Sequence, residues 1–139
     1  MTAMTFEFRD APPAVAEFAA LRTLVGWNNP TADLLAASME NSYYWVSVFH
    51  ERQLVGTGRV IGDGAMYFYI QDVIVDPGFQ GLGLGKANML RINAFLASEC
   101  QRGATIGLLS AKGKEGFYSG FGYSRRDGES LGLGMCRFV

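Results

Sequence analysis

The most constraining feature of this chain is a glycine loop between a predicted strand and a predicted helix. The apolar run Tyr-Ile-Gln-Asp-Val-Ile-Val at residues 69–75 precedes the loop Gln-Gly-Leu-Gly-Leu-Gly-Lys at residues 80–86, and residues 87–100 are typical of a helix. The first amides of a helix have no acceptor within it, and the helix dipole adds partial positive charge there. Because glycines let a backbone approach an anion closely, the arrangement predicts a phosphate-binding site.

Two common phosphate-binding loops fit this segment poorly. A P-loop requires Gly-Lys followed by Ser or Thr, whereas Lys86 is followed by Ala87. A Rossmann motif requires Gly-x-Gly-x-x-Gly and an acidic residue at the end of the next strand. Here the three glycines alternate with leucines, and the next predicted strand, residues 105–111, ends without a carboxylate. Both nucleotide-binding interpretations are therefore weakened, and so is a merely flexible turn, because the glycines lie at a helix start.

The loop instead matches the pattern Gln/Arg-x-x-Gly-x-Gly/Ala, at Gln80–Gly85. Val75-Asp-Pro77 precedes it, and a second block follows at Phe117-Tyr118 and Phe121-Gly-Tyr123. In this order the motifs resemble those of the GCN5-related N-acetyltransferase (GNAT) family, over roughly residues 43–123. The resemblance implies an α/β fold of the α+β kind, with a mixed, mostly antiparallel sheet and helices on both faces.

The resemblance also implies acetyl-CoA as a co-substrate, without a metal. In the family, the amides of the loop hold the pyrophosphate, and the main chain at the end of the central strand holds the pantetheine arm. Lys86 and Lys112 would add charge attraction, and ordinary solvated lysines are the alternative for both. The residues predicted to bind the cofactor are Val73, Ile74, Val75, Gln80, Gly81, Leu82, Gly83, Leu84, Gly85, Lys86, Lys112 and Phe117.

Acetyl transfer requires stabilisation of an oxyanion and a proton for the departing thiolate. By resemblance, the proton donor is Tyr118. A phenol pKa of ~10 lies above a thiol pKa of ~8.5, so this donor keeps its proton at neutral pH. The backbone N–H of Ile74 is the expected oxyanion donor, and the amine is expected to attack directly in a ternary complex.

The general base is less well defined by the sequence. Relatives that act on polyamines carry Glu-Asp where this chain has Gln71-Asp72. Gln71 cannot accept a proton, and alternation of side chains along a strand implies that Asp72 cannot simply replace a glutamate at position 71. Asp72 is a candidate to orient a water, to bind the cation of the substrate or to complete a buried hydrogen-bond network. The base is therefore Asp72, a water relay, or none.

Length and composition indicate a single domain over residues 1–139. Apolar residues make up 49% and charged residues 18%, which is typical of a folded globule. A net charge of −1 gives no basis for binding nucleic acid or an anionic membrane surface. The first ten residues lack the pattern of a signal peptide, and no apolar run suits a membrane span. Cys100 and Cys136 fit no metal-site spacing, so free thiols in the cytoplasm are expected.

Hydrophobic periodicity predicts the element order βααβββαβαββ. The predicted strands are residues 5–9, 43–49, 54–61, 66–75, 105–111, 123–126 and 135–139. The helix after the glycine loop is predicted to carry a polar stripe that includes Asn88 and Arg91 and is interrupted by Phe95. Phe95 and the apolar run Leu131–Met135 are the surface expected for a homodimer.

The function expected from these features is transfer of an acetyl group from acetyl-CoA to a primary amine. The short chain favours a small-molecule acceptor, and a protein N-terminus or lysine is the alternative. Aromatic residues of the predicted sheet are candidates to bind a cationic amine, and packing in the core is the alternative for at least half of them. The alternative is a module that binds CoA or acetyl-CoA as a sensor, without catalysis. Gln71 in place of an acid supports the sensor, whereas Tyr118 supports the enzyme.

Overall fold

The computed structural model describes residues 4–139, which form two compact units. The first unit runs to Gly107, and the second runs from Leu108 to Val139. The single domain expected over residues 1–139 stays a prediction.

The first unit is built on a sheet with the strand order β1-β2-β3-β4-β5. Its elements are β1 Glu7–Arg9, α1 Val15–Leu24, α2 Ala32–Glu40, β2 Tyr44–His50, β3 Gln53–Gly62, β4 Tyr67–Val75, a 3₁₀ turn Pro77–Phe79, α3 Leu84–Glu99 and β5 Thr105–Leu108, whose last residue is the first of the second unit. Neighbours from β1 to β4 pair antiparallel. The N–H of Thr105 donates to the carbonyl of Met66 near the start of β4, at 2.7 Å. The family-like mixed fold predicted from the sequence is therefore confirmed.

The two faces of the sheet are covered by different helices. On one face, α1 and α2 enclose a core made of Phe18, Leu21, Leu35, Met39, Trp45, Phe49, Leu54 and Ile74. On the other face, α3 lies very close to β3. A Cβ atom added to Gly58 would lie 2.7 Å from Ile92 and 3.3 Å from Val46, so a side chain there would force Ile92 to move. Glycine at position 58 thus sets how closely α3 approaches the sheet.

The polar stripe predicted for α3 is wrong at Asn88. This side chain is fully buried, and its Nδ2 donates to the carbonyl of Thr57 at 3.1 Å. Close approach of α3 to the glycines of β3 turns this position inward. Phe95 is likewise not free surface, since its ring stacks on Tyr44 with the centroids 4.6 Å apart. Burial, together with a hydrogen bond to Asp10, raises the pKa of Tyr44.

The second unit contains one helix, α4 Glu115–Ser119, among its described residues. The predicted order is thereby confirmed from β1 to α4, but the two last predicted strands, residues 123–126 and 135–139, are wrong because these residues form no strand. Asp127 instead caps a turn by accepting from the N–H groups of residues 129–131. Met135 and Phe138 are 92% and 93% exposed, so no buried face holds a strand there.

Residues 4–139 contain no helix that is both long enough and apolar enough to cross a membrane. In that same part of the chain, no three His, Cys, Asp or Glu side chains converge as metal ligands would. Cys100 and Cys136 are free thiols. Burial and the nearby carboxylate of Glu99 raise the pKa of the Cys100 thiol.

Candidate active site

The glycine loop forms a sharp turn directly into α3. Gly81 and Gly83 have φ values of 79° and 82°, in the left-handed region that favours glycine. Gly83 is the N-cap, so α3 begins at Leu84 rather than at the predicted Ala87. Leu84 is 4% exposed and anchors the first turn in the core. The loop is therefore shorter than the glycine pattern suggested, and the helix start is correspondingly closer to the end of β4.

The start of α3 presents three amides without acceptors inside the helix. The first helical hydrogen bond runs from the N–H of Ala87 to the carbonyl of Gly83, at 3.0 Å. The amides of Leu84, Gly85 and Lys86 precede it and have no helical acceptor. A Cβ atom added to Gly81 or Gly83 would meet no atom within 4 Å, so the space beside the loop is open. These features fit the binding of a phosphate group.

Two polar side chains connect the loop to the end of β4. Asp76 caps the 3₁₀ turn by accepting from the N–H of Gly78 at 2.8 Å. The amide Nε2 of Gln80 donates to the carbonyl of Val75 at 3.2 Å. The side chain of Gln80 therefore links the glycine loop to the last residue of β4. Leu82, within the loop, is half exposed. Lys86 is exposed in the first turn of α3.

A β-bulge interrupts β4 before its last residues. Arg59 pairs with Gln71 and Thr57 pairs with Ile74, so Gly58 alone lies opposite both Asp72 and Val73. Asp72 has a φ of 55°, which is uncommon for a residue other than glycine. Beyond the bulge, the side chain of Ile74 returns to the core between the sheet and α1.

The bulge places Gln71 and Asp72 on the same side of the sheet. The Nε2 atom of Gln71 lies 3.3 Å from Oδ1 of Asp72, as a hydrogen-bond donor to it. The alternation of side chains assumed from the sequence is therefore wrong at this point, because the left-handed residue 72 breaks the strand geometry.

The carboxylate of Asp72 is held by two arginines. Its Oδ1 accepts from Nη1 of Arg22 at 2.8 Å, and its Oδ2 accepts from Nε of Arg59 at 2.9 Å. The side chain of Asp72 is 0% exposed. Of the three roles considered for Asp72, this geometry favours the buried hydrogen-bond network. Both oxygens already accept charged donors, which leaves the carboxylate badly placed to take a proton from a substrate.

The arginines are themselves fixed by polar groups of the first two helices and the segments that follow them. Nε and Nη2 of Arg22 donate to Oδ1 of Asn29 and to the carbonyl of Asn28, at 2.8 and 2.9 Å. Nη1 of Arg59 donates to the carbonyl and hydroxyl of Ser38 and to the hydroxyl of Ser42. The two guanidinium groups are thus held in place by several hydrogen bonds each.

Aromatic rings pack against the same guanidinium groups. Arg22 lies 5.3 Å from the ring of Trp27, and Arg59 lies 5.3 Å from the ring of Trp45. Both guanidinium groups lie 5.9 Å from the ring of Phe18. At these distances each cation is stabilised by the ring faces.

Arg22 and Arg59 were not among the predicted site residues. A signal for Arg59 was present, since it is the single charged residue within the apolar predicted strand 54–61. Arg22 occurs at a core spacing of the first helix, where a charged residue requires a partner. The sequence did not indicate that both arginines share Asp72.

The remaining predicted site residues belong to the second unit. Tyr118 lies on α4, is half-buried, and its ring meets Phe117 edge-on with the centroids 5.1 Å apart. Phe117 also packs against Phe121 at 5.1 Å. Lys112 is exposed before the helix. The second block is therefore a small aromatic cluster, and the catalytic role of Tyr118 and the cofactor contacts of Lys112 and Phe117 stay predictions.

The network predicts a large stability loss for Asp72→Asn. The substitution keeps the shape of the side chain but leaves two largely buried guanidinium groups without a counter-charge, so we expect a loss of about 3 kcal/mol in unfolding free energy. Urea denaturation followed by circular dichroism measures this loss. Asp33→Asn, in the exposed first turn of α2, is the matched control and should cost no more than about 0.5 kcal/mol. Equal losses for the two variants would show that the pairing contributes little.

The sequence matches a known family of protein domains. The family model for the acetyltransferase (GNAT) domain matches residues 22–138. The chain is 38% identical to histone acetyltransferase TAP1 of Glycine max over 84 residues, which is 52% of this chain and 36% of that protein. It is 36% identical to GCN5-related N-acetyltransferase 1, chloroplastic, of Arabidopsis thaliana over 89 residues, 64% of this chain and 44% of that protein. The chain thus spans less than half the length of these relatives.

A solved structure shares the whole fold. The GNAT family acetyltransferase SP0256 of Streptococcus pneumoniae superposes with a TM-score of 0.76 at 22% identity, covering 99% of this chain and 98% of that one. With the family model matching most of its length, the chain belongs to the GNAT family of acetyltransferases.

Proposed function

We propose that this chain transfers an acetyl group from acetyl-CoA to the primary amine of a small molecule, by direct attack in a ternary complex. The observation that carries the proposal is the start of α3, where two left-handed glycines precede three amides without helical acceptors. Membership of the GNAT family supports acetyl transfer as the reaction. The relatives named above are acetyltransferases, which supports the same reaction class.

The first unit supplies the main contacts to acetyl-CoA, which brings the acetyl group as a thioester. The amides of Leu84, Gly85 and Lys86 donate to the pyrophosphate, and the exposed ammonium of Lys86 adds attraction. Gly81 and Gly83 leave the space that the phosphates require. Lys112 and Phe117 are proposed as further cofactor contacts.

The end of β4 supplies the donors near the reacting carbonyl. The main chain of residues 73–75 is proposed to bind the pantetheine arm, and the N–H of Ile74 is proposed to stabilise the oxyanion. The bulge lies immediately before Ile74, where the pairing of β4 with β3 resumes opposite Thr57. A backbone donor held by a rigid strand needs no reorganisation during the reaction.

Tyr118 supplies the proton for the departing thiolate, and water accepts the proton of the attacking amine. The amine nitrogen bonds to the carbonyl carbon, the carbon–sulfur bond breaks, and the thiolate takes the phenolic proton of Tyr118. The amine proton passes to water, since the carboxylate of Asp72 is committed to Arg22 and Arg59. Tyr118 then regains its proton from solvent.

A CoA-binding sensor without catalysis is the second candidate. The observation that favours it is the paired state of Asp72 beside Gln71, which leaves no free carboxylate at the bulge. A sensor would show a higher melting temperature with CoA but no thiol release from acetyl-CoA with any amine. An enzyme would show both the higher melting temperature with CoA and thiol release from acetyl-CoA.

A homodimer is also proposed. Its support is the exposed apolar side chains of Leu131, Leu133 and Met135 in the second unit. Phe95 no longer contributes to this argument, because its ring packs on Tyr44.

The phosphate site predicts different effects for Gly83→Asp and Gly83→Asn. Both residues have the same shape and tolerate the left-handed conformation better than other side chains do, so the two variants carry similar strain. Only Asp places a negative charge beside the pyrophosphate, and we expect its Kd for CoA to exceed that of the Asn variant by on the order of 10–100-fold. Isothermal titration calorimetry measures the Kd values, with melting temperatures as the check on folding. Equal affinities would place the pyrophosphate elsewhere.

The proton-donor role predicts a slow Tyr118→Phe variant. Removing the hydroxyl keeps the ring, so the packing with Phe117 and the Kd for CoA should change little. Loss of a positioned general acid should lower kcat by about 10²–10⁴-fold. A thiol-release assay with a good amine acceptor measures kcat, and Tyr67→Phe, at a residue that is 57% exposed, is the control with normal activity. Full activity of Tyr118→Phe would make Tyr118 a packing residue.

A further inference from the structure

The network around Asp72 carries more positive than negative charge. Arg22 and Arg59 contribute one guanidinium each, and Asp72 is the one carboxylate within 4.0 Å of either among residues 4–139. The side chains of Arg22 and Arg59 are only 16% and 8% exposed. One positive charge is therefore left over in a poorly hydrated place, where an unpaired charge is costly.

One nitrogen of the Arg59 guanidinium has no hydrogen-bond partner among the described residues. Its Nε donates to Asp72 and its Nη1 donates to Ser38 and Ser42, but Nη2 donates to no group of the described residues. Among the side-chain atoms described, the one sealed from solvent without a partner is Oδ1 of Asn88. Because Nη2 of Arg59 is not sealed in this way, it retains contact with solvent and has donors to offer.

Apart from Asp72, the side chains described around this guanidinium carry no formal negative charge. Ser38, Ser42 and Gln71 are neutral, and Phe18 and Trp45 present ring faces. A cationic acceptor such as a polyamine would be repelled here. An oxyanion would be attracted, and a planar guanidinium edge matches the geometry of carboxylate and phosphate oxygens.

We propose that the acceptor carries an anionic oxygen group, a carboxylate or a phosphate, and that Arg59 binds this group while Asp72 and Arg22 hold Arg59 in place. This inference rests on the proposed acetyl transfer and specifies the acceptor class. It also assigns a purpose to the buried ion pairs, since Asp72 engages the Nε edge of Arg59 and leaves Nη2 for the ligand.

Matched acceptors test the inference on the unmodified protein. Free L-amino acids are compared with their α-amides, and glucosamine 6-phosphate is compared with glucosamine, with CoA thiol release as the readout. In at least one pair, the anionic member should have a kcat/KM at least about tenfold higher, as expected for one charge-assisted hydrogen bond. The amino-acid arm identifies a carboxylate as the group, and the sugar arm identifies a phosphate.

Substitutions of Arg59 test whether this residue causes the preference for the anionic acceptor. Arg59→Gln should bring the ratio of kcat/KM for the anionic member to kcat/KM for the neutral member close to one, whatever it does to the overall rate. Arg59→Lys keeps the charge but not the planar fork, so it should restore part of the preference. Arg102→Gln, at an exposed position outside the network, is the control and should keep the whole preference. If the Arg59 variants fail to fold, the kcat/KM values of the wild-type protein for the matched acceptor pairs still test the anionic acceptor class.

The outcomes separate this inference from the proposed function. Turnover with no preference, or with spermidine acetylated better than the anionic amines, overturns the anionic acceptor and leaves acetyl transfer standing. Binding of CoA with no turnover of any amine would contradict the proposed acetyl transfer, and it would contradict the proposed acceptor class as well.

Discussion

The carboxylate of Asp72 connects three elements of the first unit through two charged hydrogen bonds. Arg22 comes from α1, Arg59 from β3 and Asp72 itself from β4. Buried ion pairs add little net stability compared with apolar packing, but the loss of one partner is costly. Asp72 also adopts a left-handed conformation, which costs on the order of 1–3 kcal/mol at a non-glycine residue. Strain and buried charge at the same bulge are typical of a site kept for function rather than for stability.

The first unit offers two binding chemistries of different kinds. At the start of α3 the donors are backbone amides, so the requirement is for glycines and a helix, and side-chain identity matters little. At the bulge the donors are guanidinium groups, which depend on specific side chains held by Ser38, Ser42 and the aromatic rings. A backbone site suits a cofactor common to a family, whereas a side-chain site suits an acceptor that differs among its members.

These two chemistries differ in how far the sequence predicts them. Gly81 and Gly83 could be predicted because their conformations are local, and the order of elements up to α4 follows from hydrophobic periodicity. The partners of Asp72 could not, since Arg22 and Arg59 lie 50 and 13 positions away and meet it only through the bulge. Burial of Asn88 depends on the closeness of α3 to β3, and the missing last strands depend on apolar side chains that remain exposed.

We propose that the first unit carries both an amide site for CoA and a guanidinium site for the acceptor. A ¹H–¹⁵N nuclear magnetic resonance titration observes both in one sample. Addition of CoA should move the amide signals of Leu84, Gly85 and Lys86 downfield, while pantetheine, which lacks phosphate, should leave them in place. Further addition of an anionic acceptor should shift the Nε–H signal of Arg59. Tight binding of CoA with the amides of residues 84–86 unmoved would contradict the account.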